Sequence, residues 1–405
     1  MQIRRCAHLV IELESKPRFA LTELINGGDG LERTARWRAY AAHLDEAFDL
    51  STEELNVLQW VGTDQWQSVL ALQQAFCASL VDGLIGKGLL LRQHDESSEH
   101  VKRDQQYRQI AWWPLAAAAQ VAGRWREVDA EQNLKSGGDT VNADLVENFG
   151  QPPTHDYHRE QNAAPVDLPQ PLPSDLDDLL EARITCRNFD YDREISAQQL
   201  SDLLHRVWGA TGMREIHPNI FALRKNVPGG GGLHCTEAYV FVQNVSGLEP
   251  GLYHYQCINH QLEPMQQFSR EKARKLIHQL LAGQNWFETA PVVVIMTARF
   301  ERLFWKYREH AKAWRVAHLD IGHLSQTFYL AATELGLGAF VTAAINDALV
   351  EQVLQVNGIS EAPIVVVGCG YRSTEKRFVE FDGVNLTKVS EMKRALKIKA
   401  KNARK

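Results

Sequence analysis

The chain of 405 residues has only six cysteines, at positions 6, 77, 186, 235, 257 and 369, and no two of them form a CxxC pair. So sparse and scattered a set argues for reduced thiols and against both a disulfide framework and a zinc knuckle. None of the fifteen histidines lies in an HExxH pattern, and His318 and His323 stand five apart, the wrong spacing for one helical face. A dedicated metal site is not expected. Long apolar runs are missing too: stretches such as Pro291 to Met296 fall far short of the roughly 20 residues a bilayer span needs. The first residues, through Leu13, are interrupted by charge before they could form the core of a secretion signal, so a cytoplasmic location is the default. Positive charge is not in excess, with 44 Lys and Arg against 50 Asp and Glu and a net charge of -6, which removes any general attraction to nucleic acid or an anionic membrane. Neither GxxxxGK[ST] nor a strand-linked GxGxxG occurs, which argues against ATP chemistry and a Rossmann dinucleotide site.

What is present is an ordinary globular composition, 44% hydrophobic and 23% charged, with room for two or three domains. Residues 127–174 read as a linker, with Gly-Gly, repeated Asn and Gln, and prolines at 152, 153, 165, 169, 171 and 173. They separate a first domain, 1–126, from a second, 175–388, and residues 389–405 form a basic tail. Such tails are mostly solvated; gripping an acidic leader peptide is the functional alternative.

The first domain opens with a strand candidate from Ile3 to Leu13. Helical periodicity follows, with Ser51 or Thr52 as a cap, then Trp66 to Gln73, then Ser79 to Gly88 ahead of the strand-like Leu89 to Leu91. Three helices and a short strand suit a winged-helix-like domain or a plain helical cap, and no Lys/Arg-rich last helix favours DNA reading. The second domain alternates helices (Leu176 to Ala182, Ser196 to Trp208, about Ala313 to Leu335) with strands (Ala238 to Gln243, Pro291 to Thr297, Pro363 to Val367). A hairpin is expected from Gly251 to Tyr255 and Gln261 to Glu263. The expected class is α+β, a layered domain whose central mixed sheet is covered by helices.

Two stretches carry chemistry. If Arg183-Ile-Thr-Cys-Arg187 runs extended, Arg183, Thr185 and Arg187 project to one side, and two guanidiniums flanking a hydroxyl suit a phosphate. The alternative is a pair of solvated arginines. Pro228-Gly229-Gly230-Gly231-Gly232 lies just before a strand, where bare backbone can approach a flat ligand; a flexible turn is the alternative.

Taken together with Gly251-Leu-Tyr-His-Tyr255, Asp320-Ile-Gly-His-Leu-Ser-Gln326 and Leu330 to Gly338, these stretches resemble the SagB-type, or McbC-like, peptide-maturation dehydrogenases of the FMN-dependent nitroreductase superfamily. The resemblance covers nearly all of the second domain. It implies an FMN enzyme that oxidises azolines to azoles in a ribosomally made precursor peptide, working as a homodimer with flavin at the subunit interface; whether other maturation enzymes take part is left open by the sequence. Arg183, Thr185 and Arg187 would then hold the FMN phosphate and ribityl chain, and Pro228, Gly229, Gly230 and Gly231 would approach the flavin. Gln326, the loop Thr342, Ala343 and Ala344, and the late basic residues Arg372 and Arg377 (or Lys376) complete the implied set. This chain departs from the usual Pro-Ser-Gly-Gly by having Gly229 for the serine, and Cys235 stands where a proline is common.

The resemblance also implies that Lys306 and Tyr307 are the catalytic pair, a lysine base made neutral by burial and a tyrosine that relays or orients the proton. A solvated Lys-Tyr pair at a helix start is the alternative. Phe300, Phe304, Trp305 and Trp314 are either core or an apolar lid. The competing functions are a flavin reductase drawing on NAD(P)H, a leader-binding scaffold without catalysis, and a transcription factor, which the acidic balance disfavours.

Overall fold

The structure is a computed structural model that describes residues 1–15, 17–32, 35–130, 132, 142–155 and 166–382. The basic tail 389–405 and much of the linker lie outside the described residues. The chain divides into two compact units, and the first is not one continuous stretch: it gathers Met1–Trp125, Ala298–Leu319 and Glu351–Ala362.

In this first unit the single strand expected from Ile3 to Leu13 is two strands, Gln2–Arg5 and Leu9–Glu14. Between them the Cys6 amide donates to Leu89 O and the Ala7 amide to Asp104, so the chain leaves one sheet and enters another. Gln2–Arg5 sits between Gln67–Ser68 and Leu90–Arg92, whereas Leu9–Glu14 is an edge strand beside Arg36–Ala41, which has Phe48–Leu50 on its other side. Three helices, Thr52–Trp60, Val69–Ala75 and Ala78–Gly86, bury Val57, Leu58, Leu72, Val81 and Leu84 against Ile3 and Leu90. The first starts at Ser51, whose hydroxyl accepts from the Glu54 amide while the Glu54 carboxylate accepts from the Ser51 amide.

The stretch 298–319 joins this unit through aromatic packing. Trp112 is fully buried, its ring 4.3 Å from Phe300 and 4.7 Å from Phe304, and its indole N–H donates to Ile359 O at 3.0 Å. Phe300 and Phe304 are therefore core residues of the first unit; Trp305 is exposed, and Trp314 donates to Gln120.

The second unit comprises Arg126–Thr297, Asp320–Val350 and Pro363–Lys405. Its sheet runs in the order Gln261–Gln267, Gly251–Gln256, Thr236–Val242, Val292–Arg299, Glu361–Gly370, Gly338–Thr342. Residues 292–298 are all buried, as expected of a strand covered on both faces. Helix Ala197–Trp208 places Leu200, Leu203, Leu204, Val207 and Trp208 at helical spacing on that core, with Ser196 and Gln199 closing a capping box. The long helix Ala313–Glu334 adds Phe328 and Ala332. Hairpin Ala210–His217 with Ile220–Lys225 and strand Gly338–Thr342 have no counterpart in the sequence reading. This is an α+β architecture, and among the described residues no helix is long and apolar enough to cross a membrane.

Removing the Trp112 side chain leaves its slot among Phe300 and Phe304 empty. Trp112→Ala is expected to cost the first unit about 3–5 kcal/mol, read as a lower midpoint in denaturant unfolding; an unchanged midpoint would show that the stretch 298–319 does not depend on this packing.

Candidate cofactor site

Residues 183–190 run extended without belonging to a strand of the sheet. Thr185 bridges Ala339 in parallel and Phe189 bridges Arg372 antiparallel, with the Cys186 amide donating to Ala339 O at 2.8 Å and the Asp190 amide to Tyr371 O at 2.9 Å. The two-residue period buries Ile184, Cys186 and Asn188 and leaves Arg183, Thr185 and Arg187 half-buried on the opposite side. Thr185 Oγ1 lies 3.1 Å from Tyr329 Oη, and the Arg183 guanidinium sits 5.2 Å above the same tyrosine ring. Neither Arg183 nor Arg187 makes an ion pair among the described residues, and Arg187 lines a cleft of about 440 Å³ together with Arg274 and Arg377.

Glu380 ties this segment down. Its Oε1 accepts from the backbone amides of Arg187 (2.6 Å) and Asn188 (2.9 Å), and its Oε2 faces Arg372 (3.1 Å) and Lys376 (2.8 Å). The side chain is 2% exposed. Burial pushes its carboxyl up, but the hydrogen bonds from Lys376, the Arg187 amide and Arg372 outweigh that and hold it at about 2. Asn188 adds a second tie: its Oδ1 accepts from the amides of Arg377 (2.7 Å) and Phe378 (2.8 Å), and its Nδ2 donates to Phe378 O (2.8 Å). Arg372, expected as a phosphate contact, also reaches Asp382 at 3.4 Å, and Arg377 pairs with Glu375 at 3.0 Å. The late cations thus already have carboxylate partners.

The glycine run forms a tight turn at Gly230–Gly232, with Gly231 at φ 62° and Gly232 at φ 71°, where side-chain-bearing residues are strained. The Gly230 amide donates to both oxygens of Asp320, at 2.9 and 3.0 Å. Asp320 is 5% exposed; burial raises its carboxyl, and the Gly230 amide and His323 counter the rise. A Cβ on Gly229 would stand 2.7 Å from His234 Nδ1, so the serine usual here would require the His234 ring to shift. Pro228 is exposed, and the turn borders a hollow of about 10 Å³ with Trp208, His234 and Asp320.

One helix braces both stretches. Asp320 holds the glycine turn and Tyr329 meets Thr185, nine positions further along Ala313–Glu334, a rise of about 14 Å. Gln326 is exposed between them. The loop Thr342, Ala343 and Ala344 is set by Gln284, whose Oε1 accepts from Thr342 Oγ1 (3.0 Å) and whose Nε2 donates to Ala344 O (2.6 Å). Lys306 and Tyr307 belong to the first unit, at the end of helix Phe300–Lys306, with Lys306 Nζ 5.5 Å from the Tyr307 ring centroid. Lys306 is exposed, so the burial expected to depress it is not found in the single chain.

Sequence reasoning missed Glu380, Asn188, Gln284 and the bracing role of Asp320. Only two signals stood in the chain: Glu380 lies four residues after Lys376, and Asp320 opens the motif that ends at Gln326.

The residues fit an FMN phosphate on one count: two guanidiniums with no carboxylate partner among the described residues flank a hydroxyl. The glycine turn borders a separate hollow that shares no lining residue with the Arg187 cleft.

Gly229→Ser is expected to destabilise the second unit by about 1–3 kcal/mol, with most of the loss recovered in a Gly229→Ser, His234→Ala double variant; equal losses in both would clear His234 of the clash. For Glu380 the held-down carboxyl contributes stability above its ordinary value of 4.5 that is lost as pH falls toward about 2. Acid unfolding should show wild type ahead of Glu380→Gln by roughly 1–2 kcal/mol at neutral pH, after solvent screening, with the gap closing over that window.

Residues 180–371 match the nitroreductase family. A protein of Methanocaldococcus jannaschii, named provisionally as a nitroreductase, is 29% identical over 205 residues, 51% of this chain and 95% of that protein. The trifolitoxin-processing protein TfxB of Rhizobium leguminosarum bv. trifolii is 29% identical over 211 residues, 51% of this chain and 56% of TfxB. The microcin B17-processing protein McbC of Escherichia coli is 24% identical over 184 residues, 44% of this chain and 63% of McbC. The match therefore spans little more than half the length of these two peptide-processing relatives. With this sheet, these covering helices and this match, the second unit carries a nitroreductase-family domain.

Proposed function

We propose that the chain is an FMN-dependent dehydrogenase that oxidises azolines to azoles in a ribosomally made precursor peptide. The observation that carries the reading is the pair of guanidiniums, Arg183 and Arg187, which make no ion pair among the described residues, on one side of an extended segment with the Thr185 hydroxyl between them. These three would hold the phosphate and ribityl chain. Pro228, Gly229, Gly230 and Gly231, with Gln326 and the loop Thr342, Ala343 and Ala344, would border the ring system, while Arg372 and Arg377, already paired with Glu380, Asp382 and Glu375, leave the phosphate to Arg183 and Arg187. Bound FMN supplies a two-electron acceptor.

The protein's own share is the proton. An azoline becomes an azole by losing a proton from one ring carbon and a hydride from the next; the hydride would go to that acceptor, and Lys306 would take the proton. Tyr307, beside it, orients the transfer. Lys306 is exposed in the single chain, where a bound peptide would reach it. The edge strand Leu9–Glu14 of the first unit, part of the winged-helix-like domain, offers an extended leader segment a place to add. The relatives' printed roles in trifolitoxin and microcin B17 processing support a peptide substrate. A second reading, reduction of a substrate with NAD(P)H-derived electrons, is supported by the relative named as a nitroreductase, which is matched over 95% of its length.

The purified protein is expected to be yellow, with flavin absorbance released on denaturation; a colourless preparation that takes up no FMN would end the reading. Co-expression with a precursor peptide should lower the peptide mass by about two units per ring oxidised, whereas bleaching of the flavin by NADPH and a mass gain would favour the reductase. Lys306→Ala should keep the flavin and lose about 100-fold or more in turnover; an unchanged rate refutes the base.

A further inference from the structure

We infer that Glu380 is a positioning residue for the phosphate end of the cofactor, acting through the backbone of Arg187 and Asn188; the inference rests on the FMN reading above. Segment 183–190 lacks the ladder that would hold a strand. On one side it has the Cys186 bond to Ala339 and the Asp190 bond to Tyr371, and between these anchors the amides of Arg187 and Asn188 have one acceptor, Glu380 Oε1. Remove that oxygen and two buried donors lose their partner while the peptide carrying Arg187 is released to rotate. The guanidinium's planar fork binds a phosphate well only when its direction is fixed, so loosening the peptide weakens the anion contact specifically.

The other half of the carboxylate serves the same end. Oε2 collects Arg372 and Lys376, and the Asn188 side chain locks the amides of Arg377 and Phe378 to the same place. The late basic stretch is thereby tied to the Arg-x-Thr-x-Arg segment across nearly two hundred residues of sequence, and its charges are balanced by Glu380, Glu375 and Asp382. Among the described residues, Arg183 and Arg187 are left as the cations of this group without a carboxylate. Glu380 is buried on the backbone side of the segment, its side chain 2% exposed, so it shapes the site without being offered to solvent.

The test compares FMN with riboflavin, which has the same ring and no phosphate, by fluorescence titration of the full-length protein. Wild type should prefer FMN. In Glu380→Ala, which removes the acceptor, FMN affinity should fall at least tenfold while riboflavin affinity changes less than twofold. Glu380→Gln keeps an oxygen for the two amides and should restore FMN binding to within about threefold of wild type. If Glu380→Ala does not fold, Glu380→Ser is read in its place. Equal weakening of both flavins would make Glu380 a general strut and overturn the inference, and tighter FMN binding in the truncated variants would make it a competing anion and overturn it too. A wild-type protein that binds neither flavin removes the FMN reading and this inference with it, whereas a wild type that prefers FMN and truncated variants that keep the same preference sink the inference alone.

Discussion

A buried amide must find an acceptor, and segment 183–190 meets that demand without a sheet neighbour along its whole length. Its donors go to three different places: the edge strand at Ala339, the strand end at Tyr371 and the carboxylate of Glu380. Each bond fixes a peptide plane, and each plane fixes where the side chains at 183, 185 and 187 emerge. The exposed chemistry of the site is thus set by hydrogen bonds on its hidden face.

The long helix converts two local arrangements into one frame. Asp320 and Tyr329 occupy its second-unit portion, one holding a glycine amide and the other meeting a threonine hydroxyl. The departure at Gly229 belongs to the same logic. Where a serine would bring a hydroxyl, the ring of His234 fills the space, and the turn presents backbone alone. The turn therefore offers no side-chain donor of its own at Gly229 to Gly232.

The parts legible in the sequence were those governed by short-range periodicity. Helix Ala197–Trp208 and the strands Val292–Arg299 and Glu361–Gly370 follow from apolar spacing, and the alternation at Arg183, Thr185 and Arg187 follows from the strand period. What escaped depends on distant partners. Glu380 reads as one more acid in a charged stretch until its oxygens are seen to meet residues 187 and 188. The break at Cys6 to His8 is invisible because the residues that divert the chain, Leu89 and Asp104, are far along it. Lys306 and Tyr307 were readable as a motif, but nothing in their neighbours told that they lie in the first unit.

That the first unit is assembled from three separated stretches has a consequence for biogenesis. Trp112 emerges from the ribosome long before Phe300, Phe304 and Ile359, so its indole must wait through most of translation for the partners that enclose it. The amino-terminal third of the polypeptide therefore reaches its finished form only after the sequence that follows has been made, and a gene cut after residue 125 would leave Trp112 without Phe300, Phe304 and the Ile359 carbonyl.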